Sequence, residues 1–317
     1  MIDNSFIEKL YNNDRRSVAR AISIVESGNS SSSELLKEIF QKTGNAYRIG
    51  ITGPPGAGKS TITNELTKLY TGQNKKVGIV AVDPTSPFTG GALLGDRVRM
   101  NDVGQIPDVF IRSMATRGSL GGLSKKAIDA ADVLDAAGFD IVILETVGVG
   151  QSELDIAQAT DTTIVVLVPE SGDAVQAMKA GLMEIADLFV LNKSDRPSSH
   201  QAATALKTIL MMKTHDQHTW MPSIIKTVAI EKKGIREIAE EVERHKEHLI
   251  KQNKFHIKRE NQLKIRIKEI VEEKIRNELW TEKGKNSLNS ALEKVIIGNL
   301  SPYHIAEEII DNYKNQM

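Results

Sequence analysis

The sequence predicts an α/β protein: a mostly parallel sheet covered by helices on both faces, with helical extensions at its N- and C-terminal ends. Three observations point there. Short, continuous apolar runs recur through the middle of the chain, namely RIGIT (48–52), KVGIVAV (76–82), DIVIL (140–144), TTIVVLV (162–168), LFVLN (188–192) and SIIKTVAI (223–230). Each run is followed by a loop and a helical stretch, the rhythm of strands buried on both faces. Before Tyr47 and after Gly234 this rhythm disappears, and apolar residues recur only at helical spacing.

Taken in order, Phe6, Ile7, Leu10, Val18, Ala21, Ile22 and Val25 recur at helical spacings, and Leu35, Leu36 and Ile39 continue the pattern after GNSSSS. This predicts an N-terminal helical extension over 1–46. The alternating strands and helices predict one α/β domain over 47–235. From 236 to 317 the sequence predicts a C-terminal helical arm. There Leu263, Ile267, Ile270, Val271, Ile275 and Leu279 lie along one face of a charged helix, and Leu288, Leu292, Val295, Ile296, Ile305, Ile309 and Ile310 mark a second helical pair. The polar stretch HKEHLIKQNKFHIKRENQ (245–262) would leave a helix exposed, so the arm is either a subdomain against the sheet or a projection that dimerises.

Composition narrows the functions. The 317 residues include 41 Lys+Arg and 41 Asp+Glu, so no net field draws the chain to nucleic acid or an anionic membrane. Aromatic residues make up only 4%, too few for base-stacking platforms, and no nucleic-acid partner is expected. The absence of cysteine excludes disulfides, thiolate metal sites and a cysteine nucleophile, and fits a reducing compartment. With no signal-like start and no apolar run of about 18 residues, the expectation is a cytoplasmic protein without a membrane partner.

The chemistry starts at Gly53-Pro54-Pro55-Gly56-Ala57-Gly58-Lys59-Ser60, a full match to G-x-x-x-x-G-K-[ST] between the strand RIGIT and the helical stretch TITNELTKLY that opens at Thr61. Such a loop turns backbone N–H groups and a helix N-terminus toward phosphate oxygens, places the lysine on the β/γ charge, and gives the serine hydroxyl to Mg2+. Acidic partners for the metal belong at the carboxyl ends of neighbouring strands. Asp83 ends KVGIVAV and Glu145 ends DIVIL in Glu145-Thr146-Val147-Gly148, where the glycine can sense a γ-phosphate. Asp96, in GGALLGDRVRM, is a third candidate; the alternative for each acid is a helix cap or solvated carboxylate. Asn192-Lys193-Ser194-Asp195 closes the strand LFVLN, and a carboxylate there accepts both N1–H and the exocyclic amine of guanine, selecting GTP over ATP. Thr227, Val228 and Ala229 are positioned to give the base backbone contacts.

Together GPPGAGKST, VDPTSPFTGGALLGDRVRM, FIRSMATRGSLGGL, ETVGVGQSE, SGDAVQAMKAGLMEIAD and NKSD, with the tail GNLSPYHIAEEI, resemble the MeaB family, which includes the methylmalonic aciduria type A and ArgK proteins. The resemblance implies a GTPase chaperone that protects, reactivates and gates cofactor loading of an adenosylcobalamin-dependent acyl-CoA mutase such as methylmalonyl-CoA mutase. It also implies a homodimer through the C-terminal helices and Mg2+ held by Ser60, Asp83, Asp96 and Glu145. The Asp96 loop resembles switch I, ETVGVGQSE switch II, and ESGDAVQAMKAG a third switch facing the mutase. Two departures stand out: Ser194 occupies a position where alanine is usual, and Glu170 one where many relatives have glycine.

Lys59 and Glu145 are the expected catalytic residues. No glutamine immediately follows Gly148, so the nearest, Gln151, is the candidate to orient water. Arg97, Arg99, Arg112 and Arg117 are candidate sources of positive charge from loops, and turnover is expected to be slow without a partner. The scattered histidines, His215 and His218 among them, form no cobalamin site. The readings left open are an ATPase or kinase linked to amino-acid transport, a nickel-type metallochaperone GTPase, which normally carries Cys or His clusters, and a nucleotide-binding protein without turnover.

Overall fold

A computed structural model describes residues 2–83, 101–115, 125–146, 152–169, 181–212, 216 and 219–315. The chain divides into two compact units, 1–256 and 257–317.

The first unit begins with helices α1 (Asn4–Tyr11), α2 (Arg15–Ser27) and α3 (Ser30–Ile39). Each starts where a side-chain oxygen accepts a first-turn N–H: Asp3 from Phe6, Asp14 from Ser17 and Asn29 from Ser32. Strand β1 (Tyr47–Thr52) leads into α4 (Lys59–Gly72), followed by β2 (Val77–Asp83), α5 (Asn101–Gly104), β3 (Val109–Ala115), α6 (Lys125–Ala136) and β4 (Ile141–Thr146). Then come α7 (Ser152–Ala159), β5 (Thr162–Leu167), α8 (Leu182–Ile185), β6 (Leu188–Leu191), α9 (Ser199–Met211), β7 (Ser223–Lys226) and α10 (Ile235–Lys251).

The strands form one seven-stranded sheet in the order β3-β2-β4-β1-β5-β6-β7. Every neighbouring pair is parallel, as continuous apolar strands linked by helices require. One face buries Val80, Val82, Val142 and Leu144 against Ala127, Ala130 and Leu134 of α6 and, beyond them, Leu10, Ile22 and Leu35 of the N-terminal helices. Its continuation buries Val165, Leu167 and Phe189 with Leu206 and Leu210 of α9. The other face buries Ile49, Ile51, Ile79, Ile143 and Ile164 against Ile62 and Leu66 of α4 and Ile238 and Val242 of α10.

Two local readings differ from the expectation. VFIRSMA (109–115) is a strand, β3, at the sheet edge, although Arg112 and Ser113 break its apolar run. SIIKTVAI is a strand only to Lys226, because the chain then turns through a 3-10 helix at Ala229–Glu231. Residues 236–256 lie within the first unit. Their polar appearance hides a buried stripe: Ile238, Val242 and Leu249 are buried, and His245, only 2% exposed, places Nδ1 2.8 Å from the Thr162 hydroxyl. At the unit's end Phe255 stacks on Tyr47, ring centroids 6.2 Å apart.

The second unit contains the rest of α11 (Lys254–Leu279), then α12 (Glu282–Ile296) and α13 (Pro302–Lys314). Ile305 and Ile309 of α13 are buried, whereas Leu263, Ile267, Ile270, Val271 and Ile275 of α11 are all exposed. Among the described residues no helix is long and apolar enough to cross a membrane.

Candidate functional site

The loop between β1 and α4 is shaped by groups distant in sequence. At Gly53 the backbone takes φ +134°, and an added Cβ would lie 2.0 Å from the Val166 carbonyl oxygen of β5. At Gly58, φ is +95° and a Cβ would lie 2.2 Å from Asn192 Nδ2. Only glycine satisfies both the dihedral and the close approach. Gly58 caps α4 without a side-chain oxygen, so the first N–H groups of α4 are not consumed by a side-chain cap. Lys59 is buried, and its ammonium donates to the carbonyls of Gly53 at 2.8 Å and Pro54 at 3.0 Å.

One turn of α4 faces the end of β4. The Ser60 hydroxyl donates to Glu145 Oε1 at 2.6 Å and the Thr63 hydroxyl to Oε2 at 2.7 Å. Glu145 is buried, and in register it lies level with Ile51 of β1 and Ala81 of β2. Beside it the Thr146 hydroxyl donates to Thr52 Oγ1 at 2.8 Å, joining the carboxyl ends of β4 and β1. The backbone of Asp83 ends β2 two residues beyond Ala81, at the same edge of the sheet. Asp96, Gly148 and Gln151 lie outside the described residues, as do Arg97, Arg99, Arg117, Glu170, His215 and His218.

Asn192 joins this loop to the end of the sheet. Its amide donates to the Ala57 carbonyl at 2.8 Å, while its carbonyl oxygen accepts from the Thr227 hydroxyl at 3.0 Å and the Ala229 N–H at 3.1 Å. Lys193 then takes φ +57°, and Ser194 N–H donates to the Thr227 carbonyl at 3.0 Å. These constraints turn Asp195 out to an exposed position. Its charge reaches Lys233, whose pKa is raised by the hydrogen bond to Glu231 first and by Asp195 as a smaller contribution. The structure thus brings together Gly53 to Thr61, Glu145, Asn192, Lys193, Asp195 and Thr227 to Ala229 at the carboxyl ends of β1, β4, β6 and β7.

Arg112 is corrected. It lies on β3 rather than in a loop, and its guanidinium pairs with Glu26 of α2 and reaches Ser23 Oγ at 3.4 Å. Strand alternation turns it, with Phe110 and Met114, toward the N-terminal helices and away from α4. Sequence reasoning missed Thr63, Thr52 and Thr146, whose hydroxyls act across the sheet. Their only signal is a threonine at each of two adjacent strand ends and one helical turn after Ser60.

The profile of the family described as methylmalonyl-CoA mutase-associated GTPase MeaB matches residues 18–284. The GTPase ArgK of Escherichia coli is 38% identical over 86% of this chain and 85% of its own length. The methylmalonic aciduria type A homolog of Mus musculus, a mitochondrial protein, is 30% identical over 99% of this chain and 81% of its own. The crystal structure of an LAO/AO transport system kinase superposes with TM-score 0.75 and 29% identity, covering 99% of both chains.

Proposed function

This chain belongs to the MeaB family and is a GTP hydrolase, and from that premise we propose that it is a magnesium-dependent, cytoplasmic GTPase chaperone of an adenosylcobalamin-dependent acyl-CoA mutase. The family description and the name of the mouse relative support the mutase as partner. The observation that carries the nucleotide reading is the junction at Asn192, where the phosphate loop and the NKSD loop share one buried amide.

In this reading the backbone from Gly53 to Thr61 cradles the phosphates, and Lys59 neutralises the β/γ charge. Asp195 accepts from guanine N1–H and the exocyclic amine, Asn192 and Lys193 hold that loop, and Thr227, Val228 and Ala229 flank the base. The donors at the sheet edge fit Mg2+: Ser60 Oγ and Glu145 are hard oxygens 2.6 Å apart. Asp83 and Asp96 complete the proposed set. Bound magnesium would neutralise charge on the phosphate oxygens in the in-line attack of water. Gln151 is the proposed water-orienting residue, and Gly148 the sensor of the γ-phosphate. Cobalamin stays with the mutase.

The chain also acts as a homodimer through its C-terminal helices. On α11 the apolar stripe of Leu263, Ile267, Ile270, Val271 and Ile275 is exposed along the helix. Two such helices side by side would bury this stripe between them.

The test is GTP hydrolysis by the purified protein with and without a cobalamin-dependent mutase, using ATP and Lys59→Ala as controls. Slow GTP-specific turnover, lost in the variant and accelerated by the mutase, is expected. GTP turnover indifferent to every mutase would remove the chaperone role. A preference for ATP would favour the amino-acid-transport kinase reading, for which the name of the solved relative speaks.

A further inference from the structure

We propose that Thr63 is a positioning residue for magnesium-nucleotide binding, holding one oxygen of Glu145 so that the other stays on Ser60. The inference rests on the reading of this site as a magnesium-GTP pocket.

Thr63, Thr67 and Thr71 recur at four-residue spacing along α4. A threonine inside a helix ordinarily returns its hydroxyl hydrogen to the carbonyl four residues back. Thr67 does so, to the Thr63 carbonyl at 2.7 Å, and Thr71 does so, to the Thr67 carbonyl at 2.9 Å. Thr63 instead sends its one hydrogen across to Glu145 Oε2 at 2.7 Å, and it is fully buried. Since Ser60 and Thr63 are three apart, their hydroxyls lie on one helical face and grip the two oxygens of a single carboxylate.

That grip has a consequence for a cation. Glu145 is 4% exposed and its backbone is fixed between β1 and β2, so side-chain rotation is its main freedom. With Oε2 held by Thr63, the carboxylate plane is set and Oε1 remains the acceptor for Ser60. With its one hydrogen committed to Oε1, the Ser60 hydroxyl keeps its lone pairs for a cation, and a carboxylate held in a fixed plane keeps the remaining lone pair of Oε1 beside them. Losing the Thr63 hydroxyl removes this second anchor and leaves Oε2 without that donor in a buried setting.

The experiment uses the full chain and a fluorescent GDP analogue, titrating MgCl2 and, separately, measuring affinity in EDTA. Thr63→Val keeps the shape and removes the donor; Thr63→Ser restores it; Thr63→Ala serves if the valine variant does not fold, as judged by circular dichroism. The expected result is a magnesium midpoint raised about tenfold in the valine or alanine variant, near wild type in the serine variant, with affinity in EDTA unchanged. Folded valine and alanine variants with the wild-type midpoint would overturn the inference alone. Wild-type nucleotide binding indifferent to magnesium would overturn it together with the magnesium-GTP reading.

Discussion

Asn192→Ala tests whether the junction between the two loops is structural as well as nucleotide-contacting. The side chain is 4% exposed and makes three hydrogen bonds, to Ala57, Thr227 and Ala229, all of which are themselves buried. At about 1 kcal/mol net for each bond, with partners left inside, truncation costs about 3 kcal/mol. For a cooperative unit of this size, that lowers the melting temperature by about 6–12 °C. Asp195→Ala is the control: its side chain is exposed, and its removal stays within about 0.5 kcal/mol. Thermal unfolding without nucleotide, followed by circular dichroism, separates the two, and GTP affinity measured in parallel should fall in both. If Asn192→Ala melted with the wild type and lost affinity only, the reading of Asn192 as a brace between loops would be wrong.

Further expectations follow from the same geometry. Gly53→Ala places a methyl 2.0 Å from a backbone carbonyl that cannot rotate away, so it should express poorly or lose more than about 4 kcal/mol, read by urea unfolding. Gly58→Ala meets the Asn192 amide instead; in a double-mutant cycle its cost should shrink in the Asn192→Ala background, and strict additivity would count against the contact. Arg112→Met should leave kcat within about twofold of wild type while weakening stability, because the guanidinium is committed to Glu26. Burial raises the pKa of Tyr70 above 10.0, with Glu243 adding to the effect. The unfolded chain therefore loses that proton first as pH rises, and above about pH 10 stability falls by up to about 1.4 kcal/mol per pH unit from this group. Tyr70→Phe should flatten that alkaline limb in urea titrations; an unchanged slope would refute the assignment.

Much of this architecture is legible in the sequence because buried parallel strands need uninterrupted apolar runs, and Ile49 to Thr52, Val77 to Val82 and Ile141 to Leu144 supply them. β3 was not legible for the converse reason: an edge strand tolerates Arg112, whose charge finds Glu26 on a helix 86 residues earlier. The buried face of α10 is hard to read because His245 and Glu241 look like surface residues until Thr162 and Ser223 meet them. In the site, the GKS and NKSD motifs single out Lys59, Ser60 and Asp195, because the phosphate and guanine proposed for them demand fixed partners: donors and a cation for the one, an acceptor for the other. The part played by Asn192 depends on how near β6 comes to the phosphate loop, and that of Thr63 on which way one hydroxyl turns. A spacing alone decides neither.

The phosphate loop is moulded by later parts of the chain, and this sets an order of events during synthesis. Ala57 waits for Asn192, 135 residues on, and Ser60 for Glu145, 85 residues on. At about 5–20 residues per second, the ribosome spends on the order of ten seconds between making the loop and making the group that seats it. β1 has no neighbours in the sheet until β4 and β5 have emerged, so a nascent chain ending before residue 141 carries the full motif with none of its strand pairing. Nucleotide capture is thus a late event in biogenesis, and a polypeptide able to bind GTP has by then assembled the centre of its sheet.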